Sequence, residues 1–312
     1  MTAALIIAAG RTSQSSGFSA MKPVGNLSAV KRLILVFQRA GVERVVLVGG
    51  EDFEEMERHV AHMGVICLKN EGGPMVEMLD SVKIGLAYLA GKCSRTLITP
   101  VDVPLFSMET VDRLVAAKAK IAIPSHKHRA GHPLLLSAKL FADVQKFEGE
   151  GGLAAAIKAS GQPVQYVEVA DEGVLIDIHV EEDVDALLLN HNLSRIHPEI
   201  KVYLSREKTF FGPGPYLLLS LIDETESLRV ACAQMGISYS KGWKMVENME
   251  KQMGQRLVER SRGGSEKGRS DLSAEGKALM RQYQDFYYEC NRQMKRLFKK
   301  YFPQTKEPEA EG

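Results

Sequence analysis

Residues 226–254 read ESLRVACAQMGISYSKGWKMVENMEKQMG. Leu228, Ala231 and Cys232 share one face of a short helix, and Gly236 supplies a tight turn after it. Ser238 can cap a second helix, on which Trp243, Val246 and Met249 recur every three residues as an inward face. Two short helices joined through a Gly turn, the second polar on its outer side, meet the requirements of a helix-turn-helix. The outward residues of the second helix are Ser238, Tyr239, Ser240, Lys241 and Lys244. Their hydroxyl and amino groups suit base edges in a major groove, and the lysines also suit phosphates. The alternative makes the same residues the solvated face of a packing helix.

The flanks favour the first of these readings. Downstream, RSRGGSEKGRSDLS at 260–273 has glycines for a tight hairpin, with Arg260, Arg262, Lys267 and Arg269 gathered at its tip. A basic hairpin beside a reading helix can follow the phosphate backbone as a wing; a flexible basic loop is the alternative. Upstream, IKVYLSREKTFFG makes two short strands joined by a turn at Arg206–Lys208, and GPGP at 212–215 breaks the chain before another helix. From Ser273 to Tyr301, Leu279, Tyr283, Phe286, Cys290, Met294, Leu297 and Tyr301 recur in steps of three or four. That apolar seam suits pairing with the same helix of a second chain, giving a homodimer, or packing back on the first domain. Charge follows the same division. Residues 1–197 hold 20 Lys/Arg against 23 Asp/Glu, whereas residues 198–312 hold 20 against 16. The excess of positive charge sits with the segment that would meet double-stranded DNA.

Residues 198–300 resemble the amino-terminal DNA-binding domain of the molybdate-responsive regulator family. The resemblance rests on KVYLSREKTFFGPG, LLSLIDETESLRVACAQMGISYSKGWKMVENME, LVERSRGGSEKG and LSAEG. It implies paired helices at 229–235 and 239–250, a wing at 260–270 and a final helix that serves as the dimer element.

The amino-terminal part alternates strands and helices. Strands are expected at 3–9, in VERVVLVGG after Gly41, at 65–69, 96–100 and 121–124, with helices at 28–40, 52–63, 75–90 and 107–118. Further helices are expected near 138–147, 151–160 and 181–190, and strands near 164–169 and 173–177. This pattern predicts an α/β, Rossmann-like domain over 1–192 with a mostly parallel sheet. A winged helix-turn-helix domain over 198–302 and a disordered tail over 303–312 would follow. In a parallel sheet, ligands sit beyond the carboxyl ends of the strands. There lie the Ser/Thr-rich loop from Gly10 to Gly25, bearing Lys22, and Asp102 just after TLITP. Successive N–H groups of such a loop can surround phosphates that a Lys neutralises, although many α/β folds carry a Gly there for packing alone. Asp102 can hold Mg2+ against a phosphate or serve as a cap. Asp177 and His179, read as ending a strand, face one side as further metal ligands; a lone His more often makes a structural hydrogen bond.

Together these segments resemble the MobA-like nucleotidyltransferases, particularly the molybdenum-cofactor cytidylyltransferase branch, over about 3–190. The shared stretches are LIIAAG, MKPVG, MLDSVKIGL, PVDVPLFSMETVDRLV, RAGHPLLLS and LIDIHVEEDVDAL. The resemblance implies that the first loop, with Ala9, Gly10, Arg11 and Lys22, holds the triphosphate of CTP or GTP. Asp102 with Asp177 or His179 would hold magnesium, and His132 in Gly131-His132-Pro133 would lie near a phosphorylated acceptor of molybdopterin type. The chain departs from that pattern where Ser15-Ser16-Gly17 replaces Arg-Met-Gly and where Gly152-Leu153-Ala154 lacks the usual Arg. Lost Arg contacts would weaken stabilisation of developing pyrophosphate charge by several kcal/mol.

Two functions follow. The first is a transcription regulator linked to molybdenum cofactor metabolism, its transferase-like domain sensing a ligand. The second is an active Mg2+-dependent nucleotidyltransferase that also binds DNA. Cys67, Cys93, Cys232 and Cys290 show no paired spacing, which argues against a disulfide framework or structural zinc. No apolar run approaches the roughly 20 residues of a membrane span, so a cytoplasmic location is expected.

Overall fold

The computed structural model describes residues 1–9, 20–61, 63–73, 77–178, 198–260 and 269–302, without the side chains of 260 and 299. The expected helix 181–190 and the tail 303–312 lie outside the described residues. The chain divides into two compact units, one built on Met1–Val60 and Val65–Arg195, the other on Ile196–Lys306.

In the first unit, β1 (Thr2–Ala8) precedes a small hairpin of β2 (Pro23–Val24) and β3 (Leu27–Ser28). There follow α1 (Ala29–Arg39), β4 (Arg44–Gly49), α2 (Phe53–His59), β5 (Ile66–Lys69), α3 (Met78–Leu89), β6 (Arg95–Pro100) and α4 (Met108–Ala116). Then come β7 (Ile121–His126), β8 (Arg129–Ala130), β9 (Leu134–Ser137), α5 (Phe141–Lys146), α6 (Gly152–Ala159) and β10 (Val164–Glu168). Strands β1 and β4 are apolar without alternation because both their faces are covered, and Ala3 to Ile6 and Val46 to Val48 are fully buried. Helix α1 lays Val30, Leu33, Ile34 and Phe37 against the sheet at the spacing of one helical face. Ser28 caps it by accepting from the Lys31 N–H, a contact type worth about 1 kcal/mol.

The main sheet runs β10-β7-β9-β6-β1-β4-β5. Strands β6, β1, β4 and β5 are mutually parallel, and β10 is parallel to β7, but β9 is antiparallel to both β6 and β7. The expectation of a mostly parallel sheet is thereby corrected to a mixed one. Residues 127–133 cannot span a parallel crossover, which takes a dozen or more residues, so the chain leaving β7 must return antiparallel. A second correction concerns 173–177, expected as a strand. The Asp171 side chain accepts from the Gly173 N–H at 3.1 Å, and Glu172–Val174 winds into a 3-10 turn instead.

In the second unit, β11 (Leu204–Ser205) and β12 (Thr209–Phe211) form an antiparallel hairpin ahead of α7 (Pro213–Thr225). The two helices of the opening stretch are α8 (Leu228–Gln234) and α9 (Tyr239–Met253), followed by β13 (Val258–Arg260), β14 (Ser270–Leu272) and α10 (Ala274–Tyr301). Leu218, Leu219, Leu221, Ile222, Val246, Met249 and Leu257 make the core. Tyr283 of α10 joins it, its ring 5.0 Å from that of Phe211 and its hydroxyl donating to the Val202 carbonyl at 2.9 Å. The Glu250 carboxylate accepts from the Leu257 and Val258 N–H groups at 2.9 and 3.1 Å, which anchors β13 to α9.

Candidate functional sites

Strands β1 and β6 end together, since Ile7 pairs with Pro100 and the Val101 N–H donates to the Ile7 carbonyl at 2.9 Å. Their carboxyl ends deliver Ala9 and Asp102 to the same edge of the sheet. The Ala9 carbonyl accepts from the Ser81 hydroxyl at 3.4 Å, and Ser81 accepts from Asn70 Nδ2 at 2.9 Å. Asn70 in turn donates its N–H to the Gly49 carbonyl at 2.8 Å. This buried polar chain fixes the point where the first loop leaves the sheet. Neither Asn70 nor Ser81 was singled out from sequence; the available signal was a polar residue directly after β5 and another on the apolar face of α3.

Lys22 is exposed immediately before β2. Its carbonyl accepts from the Ala29 N–H at 3.1 Å, which ties it to the start of α1. The Arg32 guanidinium donates to the Val24 carbonyl at 2.6 Å and braces the hairpin behind Lys22. Gly10, Arg11 and the Ser15–Gly17 stretch lie outside the described residues, as does His179.

Asp102 is buried, and its carboxyl is pushed up to about 6, first by burial and then by the charge of Asp177, against a smaller opposing backbone hydrogen bond. The Ile178 N–H donates to the Asp102 carbonyl at 2.9 Å, so the segment after the 3-10 turn is stitched to the end of β6. Asp177 thus approaches Asp102 from an irregular segment, and not from the strand expected of it. Among the described residues, no group of three or more His, Cys, Asp or Glu is arranged to hold a metal ion. Two neighbouring carboxylates, the charge of one raising the proton affinity of Asp102, nevertheless fit a hard dication, whose remaining ligands are commonly water and phosphate oxygens.

His132 lies in the same region. Burial lowers its imidazole to about 4, against the opposing effects of Asp177 and of a hydrogen bond to the Ile98 backbone. The His132 backbone N–H donates to the Val174 carbonyl at 2.8 Å. Gly131 before it has no room for a side chain, because a Cβ there would stand 2.3 Å from the Val174 carbonyl oxygen. Asp171, also not singled out, accepts from the Ser107 N–H and the Thr110 hydroxyl, both at 2.6 Å, and so clamps α4 to this segment.

In the second unit, Gly236 takes φ +62° in the turn between α8 and α9. The helices touch closely at Gly242, where an added Cβ would lie 2.2 Å from Cys232 Sγ. Ser238 caps α9 by accepting from the Lys241 N–H at 3.2 Å. Tyr239 is 44% exposed, with the Arg229 guanidinium 5.8 Å from its ring centroid. Ser240, Lys241 and Lys244 are exposed, and neither lysine joins an ion pair among the described residues. The inward face is Gly242, Val246 and Met249. Trp243, expected on that face, is only half-buried; its indole N–H donates to Glu247 at 2.6 Å across one helical turn.

Strands β13 and β14 form the hairpin expected of a wing. Its tip, with Arg262 and Lys267, lies outside the described residues, as does the Arg260 side chain. Arg269 is committed to Glu226 at 3.2 Å and Asp271 at 3.0 Å, which offsets its charge. On α10, Leu279 and Tyr283 are buried in the unit's own core, while Phe286, Leu297 and Tyr301 are exposed.

These features define a nucleotidyltransferase-type α/β domain joined to a bacterial helix-turn-helix. Residues 4–165 match the MobA-like NTP transferase domain, and the chain belongs to that family. Residues 217–277 match the bacterial regulatory helix-turn-helix protein, lysR family. This match overturns the resemblance to the molybdate-responsive regulators: the second unit carries a helix-turn-helix of lysR type. The Gly turn, capped reading helix and Gly-rich hairpin that suggested the other family are needs of winged helix-turn-helix units in general.

Over 127 residues the chain is 33% identical to the bifunctional protein GlmU of Rhizorhabdus wittichii, covering 39% of this chain and 28% of that protein. The chain therefore spans little more than a quarter of that relative's length. The crystal structure of the Mycobacterium tuberculosis rv0371c homolog from Mycobacterium sp. strain JC1 superposes with a TM-score of 0.51 at 21% identity, over 61% of this chain and 96% of that one. A nucleotidyl transferase from Methanothermobacter thermautotroptrophicus gives 0.49 at 21% identity, over 57% of this chain and 92% of that one. At such identities the first of these structures speaks to the fold alone.

Proposed function

We propose that this protein is a DNA-binding transcription regulator whose α/β unit binds a nucleotide and Mg2+ and reports that occupancy to the helix-turn-helix. The observation that carries the reading is the surface of α9. Lys241 and Lys244 stand exposed and pair with no carboxylate among the described residues, while Arg269, Lys277 and Arg292 of the same unit are held by carboxylates. Ser238, Tyr239 and Ser240 would meet base edges beside them, and Arg260, Arg262 and Lys267 would follow the phosphates. In the α/β unit, Asp102 and Asp177 would hold the dication, with His179 as a further candidate ligand. Lys22 would place its charge toward the phosphates, and the loop that begins at Ala9, Gly10 and Arg11 would direct N–H groups at them. The dication neutralises triphosphate charge when bound. His132, held neutral by burial, would face the second ligand. CTP or GTP with a phosphorylated pterin acceptor is the ligand pair in this reading, which ties the regulator to molybdenum cofactor metabolism in the cytoplasm. No helix among the described residues is long and apolar enough to cross a membrane.

A second reading, an active nucleotidyltransferase that releases pyrophosphate, is favoured by the approach of Asp177 to Asp102. The two are separated by measuring pyrophosphate release from CTP or GTP alongside DNA affinity. In the regulator reading, nucleotide changes the affinity several-fold while release is slow or absent. Robust turnover that disappears in Asp102→Ala, with DNA affinity indifferent to nucleotide, would put the enzyme first.

The exposed outer half of α10 supports a homodimer. Phe286, Cys290, Met294, Leu297 and Tyr301 recur along one face, and Phe286, Leu297 and Tyr301 are 51%, 47% and 67% exposed. Joint replacement Phe286→Glu and Leu297→Glu is expected to give monomers by sedimentation and to weaken binding to a two-half-site duplex at least tenfold. A dimer that survives both changes would refute this role for the helix.

A further inference from the structure

We propose that the β11–β12 hairpin is a second wing that contacts the DNA backbone on the side of α9 opposite the β13–β14 hairpin. The inference rests on the DNA-binding reading and adds a contact surface to it.

The reading helix is held on both flanks. Asn248 Nδ2 donates to the Thr209 carbonyl at 3.3 Å, which fastens β12 to one side of α9. Glu250 accepts from the Leu257 and Val258 N–H groups and fastens β13. Residues two apart on an α-helix point to roughly opposite sides. One arc between those flanks holds the buried Gly242, Val246 and Met249; the other holds the exposed Ser240, Lys244, Glu247 and Lys251. The two hairpins therefore bracket the exposed face.

The hairpin's chemistry suits phosphate. Residues Ser205 to Thr209 are all exposed, and among the described residues neither the Arg206 nor the Lys208 head group is held in an ion pair. The Arg206 N–H donates to the Lys208 carbonyl at 3.2 Å, and the Ser205 and Thr209 hydroxyls lie 3.0 Å apart, so the turn is locally closed and presents its polar groups outward. Beside the Asn248–Thr209 contact, Tyr203 and Phe211 together with Met245 and Asn248 of α9 line a hollow of about 150 Å³. A major groove is about 12 Å wide and bordered by two phosphate backbones, so a helix in it leaves one backbone for each flanking hairpin. The lysR-type match spans 217–277 and does not include this hairpin.

The test uses the full chain and a duplex recovered from it by in vitro selection, with affinity followed by fluorescence anisotropy across KCl concentrations. Arg206→Gln and Lys208→Gln are each expected to lower the slope of log affinity against log salt by about 1, and together by about 2. The joint variant should lose about tenfold or more in affinity near 0.15 M salt while keeping the wild-type base preference and melting temperature. Lys118→Gln, an exposed charge in the other unit, should leave the slope unchanged. A double variant with the wild-type slope overturns the second wing, as does an equal fall in slope for Lys118→Gln. If Lys244→Ala weakens binding and the hairpin variants do not, only the second wing falls. A full chain that binds no duplex removes the DNA reading and the second wing together.

Discussion

Asp102→Asn is expected to make the metal-free protein more stable at pH 8 and to abolish its stabilisation by Mg2+. The Asp102 carboxyl sits near 6 in the folded state against an ordinary 3.8, and burial is the larger cause. A carboxyl raised on folding contributes stability that is present below pH about 4 and is lost as pH rises through about 6. Above that window the ionised, buried group costs on the order of 3 kcal/mol. Asn removes the charge and keeps the backbone contact, because Ile178 bonds to the Asp102 carbonyl and not to its side chain. For a unit of this size the gain corresponds to roughly 5–10 °C in Tm.

His132 gives the experiment a second signature. Its imidazole is lowered to about 4 from 6.5, so it favours the folded state increasingly as pH rises between those values. In the wild-type protein this gain and the Asp102 loss oppose each other between pH 4 and 6. In Asp102→Asn the Asp102 loss is removed while the His132 gain remains, and stability should climb from pH 4 to 6.5. Thermal melts over pH 4–8, with and without Mg2+, check both signs. An Asn variant that melts at or below wild type at pH 8 without metal, or that still gains stability from Mg2+, would refute the paired-carboxylate site.

Gly242→Ala should destabilise the second unit and cut DNA affinity at least tenfold. Helix propensity alone argues the reverse, since Ala in a helix interior is favoured over Gly by about 1 kcal/mol. Here the added methyl would meet Cys232 Sγ at 2.2 Å, with Leu228 and Ile237 each 3.7 Å away. Forcing α8 and α9 apart is a small-to-large core change, costing about 1–3 kcal/mol and tilting the reading face. Cys232→Ala in the same chain removes the obstructing sulfur and should restore most of the loss, giving a strongly non-additive cycle. Denaturant unfolding and anisotropy titration on the four proteins decide it. A single variant as stable as wild type, with unchanged affinity, would mean that the two helices are not locked at this point.

Legibility differed between elements for physical reasons. Helix α1 and strands β1 and β4 could be read because their burial is periodic or continuous along the chain. The 3-10 turn at Glu172–Val174 could not, because a local bond from the Asp171 carboxylate outcompeted the strand propensity of GVLID. Trp243 looked inward by spacing, yet its N–H found Glu247 one turn away and the ring stayed at the boundary. Arg269 counted as a wing cation by composition, whereas Glu226, distant in sequence, lies close enough to pair with it.

By itself, the sequence determined the α/β alternation, the capped helix pair around Gly236 and the placement of Asp102 at a strand end. Those features depend on residues within a few positions of one another. Tertiary structure decided the reversal of β9, the approach of Asp177 to Asp102, the Asn70–Ser81 brace under Ala9 and the two hairpins flanking α9. Each of these joins groups whose separation along the chain carries no periodic signal. Their energies come from burial and hydrogen bonds that exist only once the sheet and the helix bundle have formed.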